Sequence, residues 1–241
     1  MDFCEAQSFI NSFSRSGTKV NDLLRISRLL EALDNPQDKL EFIHIAGTNG
    51  KGSTLEYISD ILEKSGYRTG KFTSPYVTHY ADRIRINSKE IDEASIAEIC
   101  GFVKSRVSSD EFSQFEITMA IAMLYFLREQ CDIVVLETGI GGLLDSTNII
   151  KKPIVSVITS VSLDHTAVLG NTVAEIARQK AGIIKKDCNT VLSVDNVYET
   201  KCIVREKAEE MNAPLTEINE KEIIPLKIDI CGNEFMYKNR K

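Results

Sequence analysis

Three short apolar runs, in which polar and apolar residues do not alternate, constrain the fold of this chain most strongly. They occupy residues 41–46, 132–136 and 153–159, and each is followed by a turn rich in glycine or polar residues. Strands buried on both faces have such sequences, and they occur in parallel sheets that helices cover. The sequence therefore predicts an α/β fold with a mostly parallel sheet of the P-loop type and helices on both faces.

The remaining segments fill in this architecture. Apolar stripes at helical spacing predict helices at 20–33, 53–65, 115–130 and 199–211. Another helix opens near Thr172, which has capping-box spacing to Glu175, and a further strand is expected at 190–194. Residues 223–237 differ and predict a hairpin that turns at Gly232-Asn233. We expect one domain over residues 1–241, with a core at about 20–215 and a small antiparallel β appendage at about 216–241.

A glycine-rich loop, Gly-Thr-Asn-Gly-Lys-Gly-Ser at 47–53, lies between the first predicted strand and a helix. Glycines let backbone N–H groups approach an anion, and the following helix adds the positive end of its dipole. Lys51 can reach phosphate oxygens, and Ser53 could face a magnesium ion. Ile45 and Gly52 depart from the usual G-x-x-x-x-G-K-[ST] pattern. The sequence predicts a variant phosphate loop, with a solvated glycine turn as the alternative.

Chemically active residues follow the other two apolar runs. Glu137 comes directly after the second run, and His165 lies shortly after the third. Ligands of parallel sheets collect at the carboxyl ends of the strands, so both residues are expected on the same edge as the phosphate loop. An acidic side chain there is placed to bind magnesium, whereas magnesium prefers oxygen over imidazole. A turn or cap role for Glu137 and a structural role for His165 remain alternatives.

Composition and charge disfavour nucleic-acid-binding, membrane-spanning and secreted proteins. The chain has 29 Lys plus Arg against 35 Asp plus Glu, a net charge of -6, which disfavours a dedicated nucleic-acid binder. The apolar runs are too short to span a bilayer, so no membrane partner is expected. Six cysteines are spread without a CxxC pair, and the amino terminus has no basic region before an apolar one. We expect reduced thiols and a cytoplasmic protein.

Several stretches together resemble the folylpolyglutamate synthase / dihydrofolate synthase family of the Mur ligase superfamily. They occur in the family's order over most of residues 20–190. They are HIAGTNGKGST (44–54), FTSPYVTHYADRIRIN (72–87), FEIT (115–118), LETGIGGLLDSTNII (136–150), SLDHTAVLG (162–170) and IARQKAGIIK (176–185). One departure is Asp82, which stands where the family has Glu before Arg83.

The resemblance implies an enzyme, an ATP- and magnesium-dependent carbon–nitrogen ligase. The γ-phosphate of ATP would move to a carboxylate of a folate or dihydropteroate, and the amino group of L-glutamate would then attack the acyl phosphate. Phosphoryl transfer of this kind depends on positioning and charge neutralisation. The substrates are therefore expected to be small molecules, with ATP and Mg²⁺ as cofactors.

The resemblance also implies roles for individual residues. Thr48, Asn49, Gly50, Lys51, Gly52 and Ser53 would hold ATP. Ser74, Glu137 and His165 match magnesium ligands. Lys180 matches a lysine that is carbamylated in the family and would act with Lys51 and His165 in catalysis. The substrate would contact Phe115 and Glu116, in the stretch 113–116, together with Leu144, Asp145 and Ser146.

Length is the main departure from the family. Its members carry a C-terminal domain that contributes to the ATP and glutamate sites, and this chain ends at Lys241, about where that domain would begin. We therefore expect the domain to be absent or supplied by a separate chain, and a ligase that is incompetent alone. Two alternatives stay open: a non-catalytic nucleotide- or folate-binding module, and a fragment of a Mur-type ligase for peptidoglycan precursors.

Overall fold

A computed structural model describes residues 1–14, 22–76, 78–107, 111–230 and 232–237. Its main sheet has eight strands in the order β4-β3-β2-β5-β1-β6-β7-β8, and a separate pair is formed by β9 and β10. The strands are β1 (Phe42–Ala46), β2 (Thr69–Phe72), β3 (Ile84–Ile86), β4 (Lys89–Glu90), β5 (Ile133–Glu137), β6 (Val155–Ile158), β7 (Asn189–Leu192), β8 (Leu215–Glu217), β9 (Ile223–Asp229) and β10 (Gly232–Tyr237).

The six strands from β2 to β8 in the sheet order pair in parallel, and β3 and β4 are antiparallel additions at one end. The helices are α1 (Phe3–Ser12), α2 (Leu24–Ala32), α3 (Lys51–Lys64), α4 (Glu93–Arg106), α5 (Gln114–Arg128), α6 (Thr166–Leu169), α7 (Val173–Ala181) and α8 (Tyr198–Glu210). Short 3₁₀ turns occupy Pro36–Lys39, Tyr80–Arg83, Ser146–Ile149 and Glu220–Glu222. No helix in these described ranges is long and apolar enough to cross a membrane.

Alternating side chains of β1 divide the core between the two faces of the sheet. Phe42 and Ala46 pack on the face covered by α1, α2, α4, α5, α7 and α8. Ile45 packs on the opposite face against Leu55 of α3. Both faces of β1 are buried, which explains its continuous apolar sequence. The predicted α/β fold with helices on both faces is confirmed.

Side-chain caps fix where several helices begin. Thr172 and Glu175 form the predicted capping box of α7, in which the Thr172 side chain accepts from the backbone of Glu175 and the Glu175 carboxylate accepts in return. Ser113 and Glu116 cap α5 in the same way. Helix α3 differs, because Gly50 precedes it and supplies no side-chain cap. Its first amides are therefore left for another acceptor.

The tail forms the predicted hairpin, but the predicted turn at Gly232-Asn233 is wrong. Asp229 pairs with Gly232, so the connection lies between them, and Asn233 pairs with Ile228 inside the ladder. The pairs next to the turn place it two residues earlier than predicted, and the register of the ladder shifts farther along, between Glu234 and Phe235. The main sheet also extends to β8, which pairs with β7.

Among the described residues, seven helices and strands escaped the sequence interpretation: α1, α4, α6, β2, β3, β4 and β8. Strand β2 has the sequence Thr-Gly-Lys-Phe, which is not an apolar run, although all four residues are buried. Lys71 is tolerated there because its ammonium donates to Glu56 on α3 over 3.1 Å. Arg85 on β3 donates to the same carboxylate. Because the buried Lys71 keeps its charge partner Glu56, this strand has no continuous apolar run from which it could be predicted.

Candidate nucleotide and metal site

The order of the strands brings four loops to one edge. Strands β2, β5, β1 and β6 are consecutive neighbours in the sheet and run in parallel, so their carboxyl ends lie side by side. The loops that follow them begin with Thr73, Thr138, Gly47 and Thr159. These loops carry most of the chemically active residues that the sequence singled out. Brought together at the carboxyl edge, they form the usual ligand position of an open parallel sheet.

The glycine loop leads directly into α3. Gly50 has φ +81, a backbone conformation that favours glycine, and α3 begins at Lys51, two residues earlier than predicted. The first bond back to the loop is from the Thr54 amide to the Gly50 carbonyl, at 2.9 Å. The amides of Lys51, Gly52 and Ser53 consequently lie in the first helical turn without intrahelical acceptors. Amides in this position can bind a phosphate group.

Contacts with the loop after β6 hold the glycine loop in place. The Thr48 amide donates to the Ser160 carbonyl over 2.7 Å, and the Thr48 hydroxyl donates to the Ser162 carbonyl over 3.1 Å. The Thr159 hydroxyl donates to the Asn49 carbonyl over 2.8 Å. A Cβ added at Gly47 would overlap the Thr159 hydroxyl oxygen, so glycine is required there for close approach.

Lys51 and Glu137 face each other at the mouth of this loop. The Lys51 ammonium lies 3.9 Å from Glu137 Oε1 and donates to the carbonyls of Gly47 at 3.2 Å and Thr48 at 3.4 Å. The Ser74 amide, on the loop after β2, donates to Glu137 Oε2 over 3.4 Å. Burial raises the pKa of Glu137, while Lys51 and the Ser74 amide oppose that rise. Lys51, Ser74 and Glu137 therefore share one cluster.

A second lysine reaches the loop from the opposite side. Lys180 on α7 is 2% exposed, and its ammonium donates to the Gly47 carbonyl over 2.8 Å. Burial lowers its pKa to about 8, and the nearby charge of Lys51 adds to that effect, while Asp164 and Asp145 oppose it. No sequence signal other than the family resemblance selected this lysine. The structure places it at the glycine loop.

His165 lies on the loop after β6, immediately before α6. It adopts φ 45, and its ring Nε2 lies 3.6 Å from Asp164 Oδ1. About half of its side chain is exposed. Its loop is the one that Ser162 joins to Thr48, so His165 belongs to the same rim of the sheet. The imidazole is thus partly exposed to solvent, and the charged side chain that it approaches is Asp164.

The donor set at this edge fits a magnesium ion held largely by other oxygens. In the part of the chain that the structure describes, no three or more His, Cys, Asp or Glu side chains gather as a metal site. Mg²⁺ typically takes one or two carboxylates and fills its other positions with phosphate and water. Glu137 supplies a carboxylate and Ser74 a hydroxyl, next to the loop amides that suit a phosphate. A recess of about 470 Å³, lined in part by Gly52, Ser74 and Glu137, adjoins this cluster.

The predicted substrate residues separate into two environments. Phe115 and Asp145 meet at Gly139, where a Cβ would lie 3.0 Å from Phe115 Cζ and 3.1 Å from Asp145 Oδ2. Leu144 and Ser146 flank Asp145 and are half-buried. Glu116 points elsewhere: its carboxylate accepts from Arg25 over 3.0 Å and caps α5 through Ser113. The structure thus brings Phe115 together with residues 144–146 but not the carboxylate of Glu116.

Sequence reasoning missed the residues that hold these loops. Asn196 receives the Val161 amide at 2.9 Å and donates to the Thr159 carbonyl at 3.0 Å, which braces the loop after β6. His44 lies inside β1 and bonds to Thr147 over 2.9 Å. A polar residue inside an apolar strand was a visible signal for His44. Asn196 carried none, since an Asn in a turn is ordinary.

The chain is similar to known ligases throughout. The family model described as Mur ligase middle domain matches residues 45–230. The folylpolyglutamate synthase of Lacticaseibacillus casei is 36% identical over 248 residues, covering 100% of this chain and 57% of that protein. The dihydrofolate synthase/folylpolyglutamate synthase of Bacillus subtilis is 36% identical, covering 98% and 56%. This chain therefore spans less than three-fifths of the length of these relatives.

Solved structures of such synthases superpose on nearly the whole of this chain. The apo form of the L. casei synthase superposes with a TM-score of 0.91 at 36% identity, covering 98% of this chain and 59% of that one. A complex of such a synthase with AMPPCP and folate superposes with a TM-score of 0.91 at 36% identity and the same coverage. The described fold is thus the fold of the corresponding part of those proteins.

Proposed function

This chain belongs to the Mur ligase middle-domain family, and we propose that it is the ATP-binding part of a ligase that joins L-glutamate to a folate or dihydropteroate carboxylate. One observation carries the proposal: Lys51, Lys180, Glu137 and Ser74 converge on one glycine loop whose helical amides lack acceptors. This arrangement supplies cations, amide donors and a metal-binding carboxylate together. Phosphoryl transfer from a nucleotide needs these components.

The residues of the chain divide the work of nucleotide binding. The amides of 51–53 donate to the phosphate oxygens, Thr48, Asn49 and Gly50 shape the loop, and Lys51 turns from the loop carbonyls to a phosphate oxygen. Glu137, Ser74 and His165 would hold magnesium; the Ser74 amide donates to Glu137, whose carboxylate lies 3.9 Å from the Lys51 ammonium. Mg²⁺ would neutralise the charge that develops on the transferred phosphoryl group. Moving the γ-phosphate to the substrate carboxylate releases ADP and gives an acyl phosphate, and attack by the glutamate amine then forms the amide and releases inorganic phosphate.

Lys180 has the properties of a lysine that can be carbamylated. Only the neutral amine attacks carbon dioxide, and a pKa of about 8 leaves a substantial neutral fraction at physiological pH. Carbamylation would replace a buried cation beside Lys51 with an anion and so remove their repulsion. The product would offer oxygen ligands at the rim that carries His165. This supports the assignment of Lys180, Lys51 and His165 as the catalytic group.

The substrate is expected on the side of Phe115. Its ring stacks edge-on with Phe72 at 5.8 Å between centroids and lies against Gly139, just beyond Glu137. Leu144, Asp145 and Ser146 border the same loop. An aromatic wall beside backbone and carboxylate groups suits a flat pterin ring. The similar structure with folate and AMPPCP supports this choice over a peptidoglycan precursor.

We propose residues 1–241 as one domain, whose core is followed by the β9–β10 hairpin. Since the relatives are longer, further parts of the glutamate site are proposed to come from a C-terminal domain or a separate chain. The chain is proposed to work in the cytoplasm, where the free thiols of Cys4, Cys100, Cys131, Cys188 and Cys202 would be stable.

Calorimetry and a phosphate-release assay test the proposal. The purified chain is titrated with ATP, with and without magnesium, and then supplied with a reduced folate and L-glutamate. We expect magnesium-dependent ATP binding, and amide product once the remainder of the site is supplied. Nucleotide and folate binding with no product in the complete assembly would instead support a non-catalytic module. Failure to bind ATP at all would contradict both interpretations.

A further inference from the structure

A buried hydrogen-bonded relay runs from β1 to the loop after β5. His44 Nε2 lies 2.9 Å from the Thr147 hydroxyl, which lies 2.5 Å from Asp145 Oδ1. The Asp145 carboxylate also accepts from the Thr147 amide at 3.0 Å and, through Oδ2, from the Ile140 amide at 2.8 Å. His44 and Thr147 are fully buried, and Asp145 is 8% exposed. The relay thus connects β1, which precedes the glycine loop, to the loop after β5, which lies beside Phe115.

With Asp145 ionised, the donors and acceptors of this relay permit one consistent arrangement. Burial raises the pKa of Asp145, and the hydrogen bonds that its two oxygens accept from the Thr147 hydroxyl and from the backbone amides of Thr147 and Ile140 oppose that rise. Thr147 therefore gives its single hydroxyl proton to Asp145, and its oxygen must accept from His44. His44 Nε2 consequently carries the proton. His44 Nδ1 is buried with no partner among the described residues, which is tolerable for a lone pair and costly for an N–H donor.

The surroundings keep the imidazole neutral. Burial lowers the pKa of His44 to about 3, and the charge of Lys185 acts in the same direction. Lys185 itself donates to the Asn148 carbonyl over 3.1 Å, in the 3₁₀ turn that begins at Ser146. A neutral ring with a fixed tautomer donates one hydrogen bond in one direction. His44 can therefore act as a directional donor over a wide range of pH.

We infer that His44 is a positioning residue, which donates through Nε2–H to Thr147 and so fixes the Asp145 carboxylate against the amides of the loop after Glu137. The inference rests on the proposed function for its consequence, since Asp145 and that loop form the proposed pterin side of the site. Without the His44 donor, the Thr147 hydroxyl can rotate, and Asp145 loses its short hydrogen bond from that hydroxyl. The loop beside Phe115 would then open more often, while the nucleotide loop is held separately by Thr48 and Thr159.

The tautomer is tested by ¹⁵N NMR of the imidazole of His44. We expect a neutral ring protonated at Nε2, unchanged between about pH 5 and pH 8, where an ordinary histidine titrates. A ring that titrates in this interval, or one protonated at Nδ1, would overturn the inference. This measurement needs no substrate.

The relay is tested by amide exchange in His44→Leu, His44→Gln, Thr147→Val and the double variant His44→Leu/Thr147→Val. Removal of the donor should speed exchange of the Ile140 amide about tenfold, the effect of losing one buried hydrogen bond. His44→Gln retains a donor near Nε2 and should restore slow exchange. Because the two groups act in series, the double variant should match the more affected single variant.

The amide of Val157, inside β6, serves as the internal control, since global loosening would speed it equally. Additive effects, or equal acceleration at Val157, would show that His44 merely fills space. In the assembled ligase, His44→Leu should raise KM for the pterin substrate about tenfold and leave KM for ATP unchanged. If the wild-type assembly makes no product, the proposed function fails, and the NMR and exchange results still decide the role of His44.

Discussion

The ammonium of Lys180 donates a hydrogen bond to the carbonyl of Gly47 across 2.8 Å, which ties α7 to the first residue of the phosphate loop. This contact joins residues 133 positions apart. It places a buried cation beside the partly buried Lys51, which also donates to Gly47. Their repulsion is one reason that Lys180 is readily neutralised, and it makes the loop sensitive to the state of this side chain.

Lys180 is predicted to react with carbon dioxide in a pH-dependent way. The pKa of about 8, against an ordinary value of 10.5, means that its neutral fraction rises steeply as pH passes 8. ¹³C NMR with labelled bicarbonate should detect a carbamate signal that strengthens over this range and is absent in Lys180→Met. A signal of equal strength in that variant would assign the carbamate to another amine.

The lowered pKa of Lys180 also predicts that the stability of the chain rises with pH above about 8. Between about pH 8 and pH 10.5 the unfolded chain holds a proton on Lys180 that the folded chain has released, so the free energy of unfolding contributed by this group rises with pH. Below that window both states are protonated and burial of the charge is fully unfavourable. Urea unfolding should show this rise in wild type and a flatter profile in Lys180→Met.

Lys51→Ala is predicted to weaken ATP binding about a hundredfold, since Lys51 supplies a charge-assisted contact worth roughly 3 kcal/mol. Its ammonium contacts loop carbonyls and lies near Glu137, so it is positioned for phosphate without holding the fold together. Calorimetric titration with ATP and magnesium measures the change. Lys64→Ala at the exposed end of the same helix is the matched control and should bind normally. Unchanged affinity in Lys51→Ala would make the loop a structural turn.

Glu137→Gln is predicted to remove most of the magnesium dependence of ATP binding, because the amide is a far weaker ligand for a hard cation. In wild type, burial raises the pKa of Glu137, so protons should compete with magnesium at higher pH than for an ordinary carboxylate. ATP affinity measured against magnesium at several pH values tests both statements. Glu63→Gln, on the outer part of α3, serves as the control. Persistent magnesium dependence in Glu137→Gln would remove this residue from the metal site.

Gly47→Ala is predicted to destabilise the chain by about 2 kcal/mol and to weaken ATP binding, because the added Cβ would overlap the Thr159 hydroxyl and displace the loop. Gly101→Ala is the matched control. A Cβ at Gly101 meets nothing nearer than Met1 at 3.9 Å, and α4 should gain up to about 1 kcal/mol from the better helix former. Thermal unfolding and ATP titration of the two variants measure the difference. Equal behaviour would mean that the loop adapts to the extra carbon.

Substitutions of the neighbours Phe115 and Glu116 are predicted to affect different properties, folate binding for Phe115 and stability for Glu116. Glu116→Gln should lower the free energy of unfolding by about 3 kcal/mol, since it breaks a nearly buried ion pair with Arg25. Phe115→Ala should reduce binding of the reduced folate more than it changes ATP binding. Unfolding curves and folate titrations on both variants compare these effects. A loss of folate affinity in Glu116→Gln without loss of stability would support the prediction that Glu116 contacts the substrate.

The sequence by itself determined the class of fold and the chemistry available at the carboxyl edge. The apolar runs of β1, β5 and β6 are legible because both faces of each strand are buried, and the order strand, glycine loop, helix is local. Tertiary structure alone decided that the loop after β2 joins the other three. Strand β2 carries no apolar signal, yet its place beside β5 brings Ser74 to Glu137.

Tertiary structure also decided three other contacts: Lys180 with Gly47, Glu116 with Arg25, and His44 with Thr147. Each of these contacts joins segments distant in sequence. Periodicity describes which face of an element is buried and contains no information about its neighbour. The partners are selected when helices and strands pack, because burial obliges each polar group to find a partner across the core.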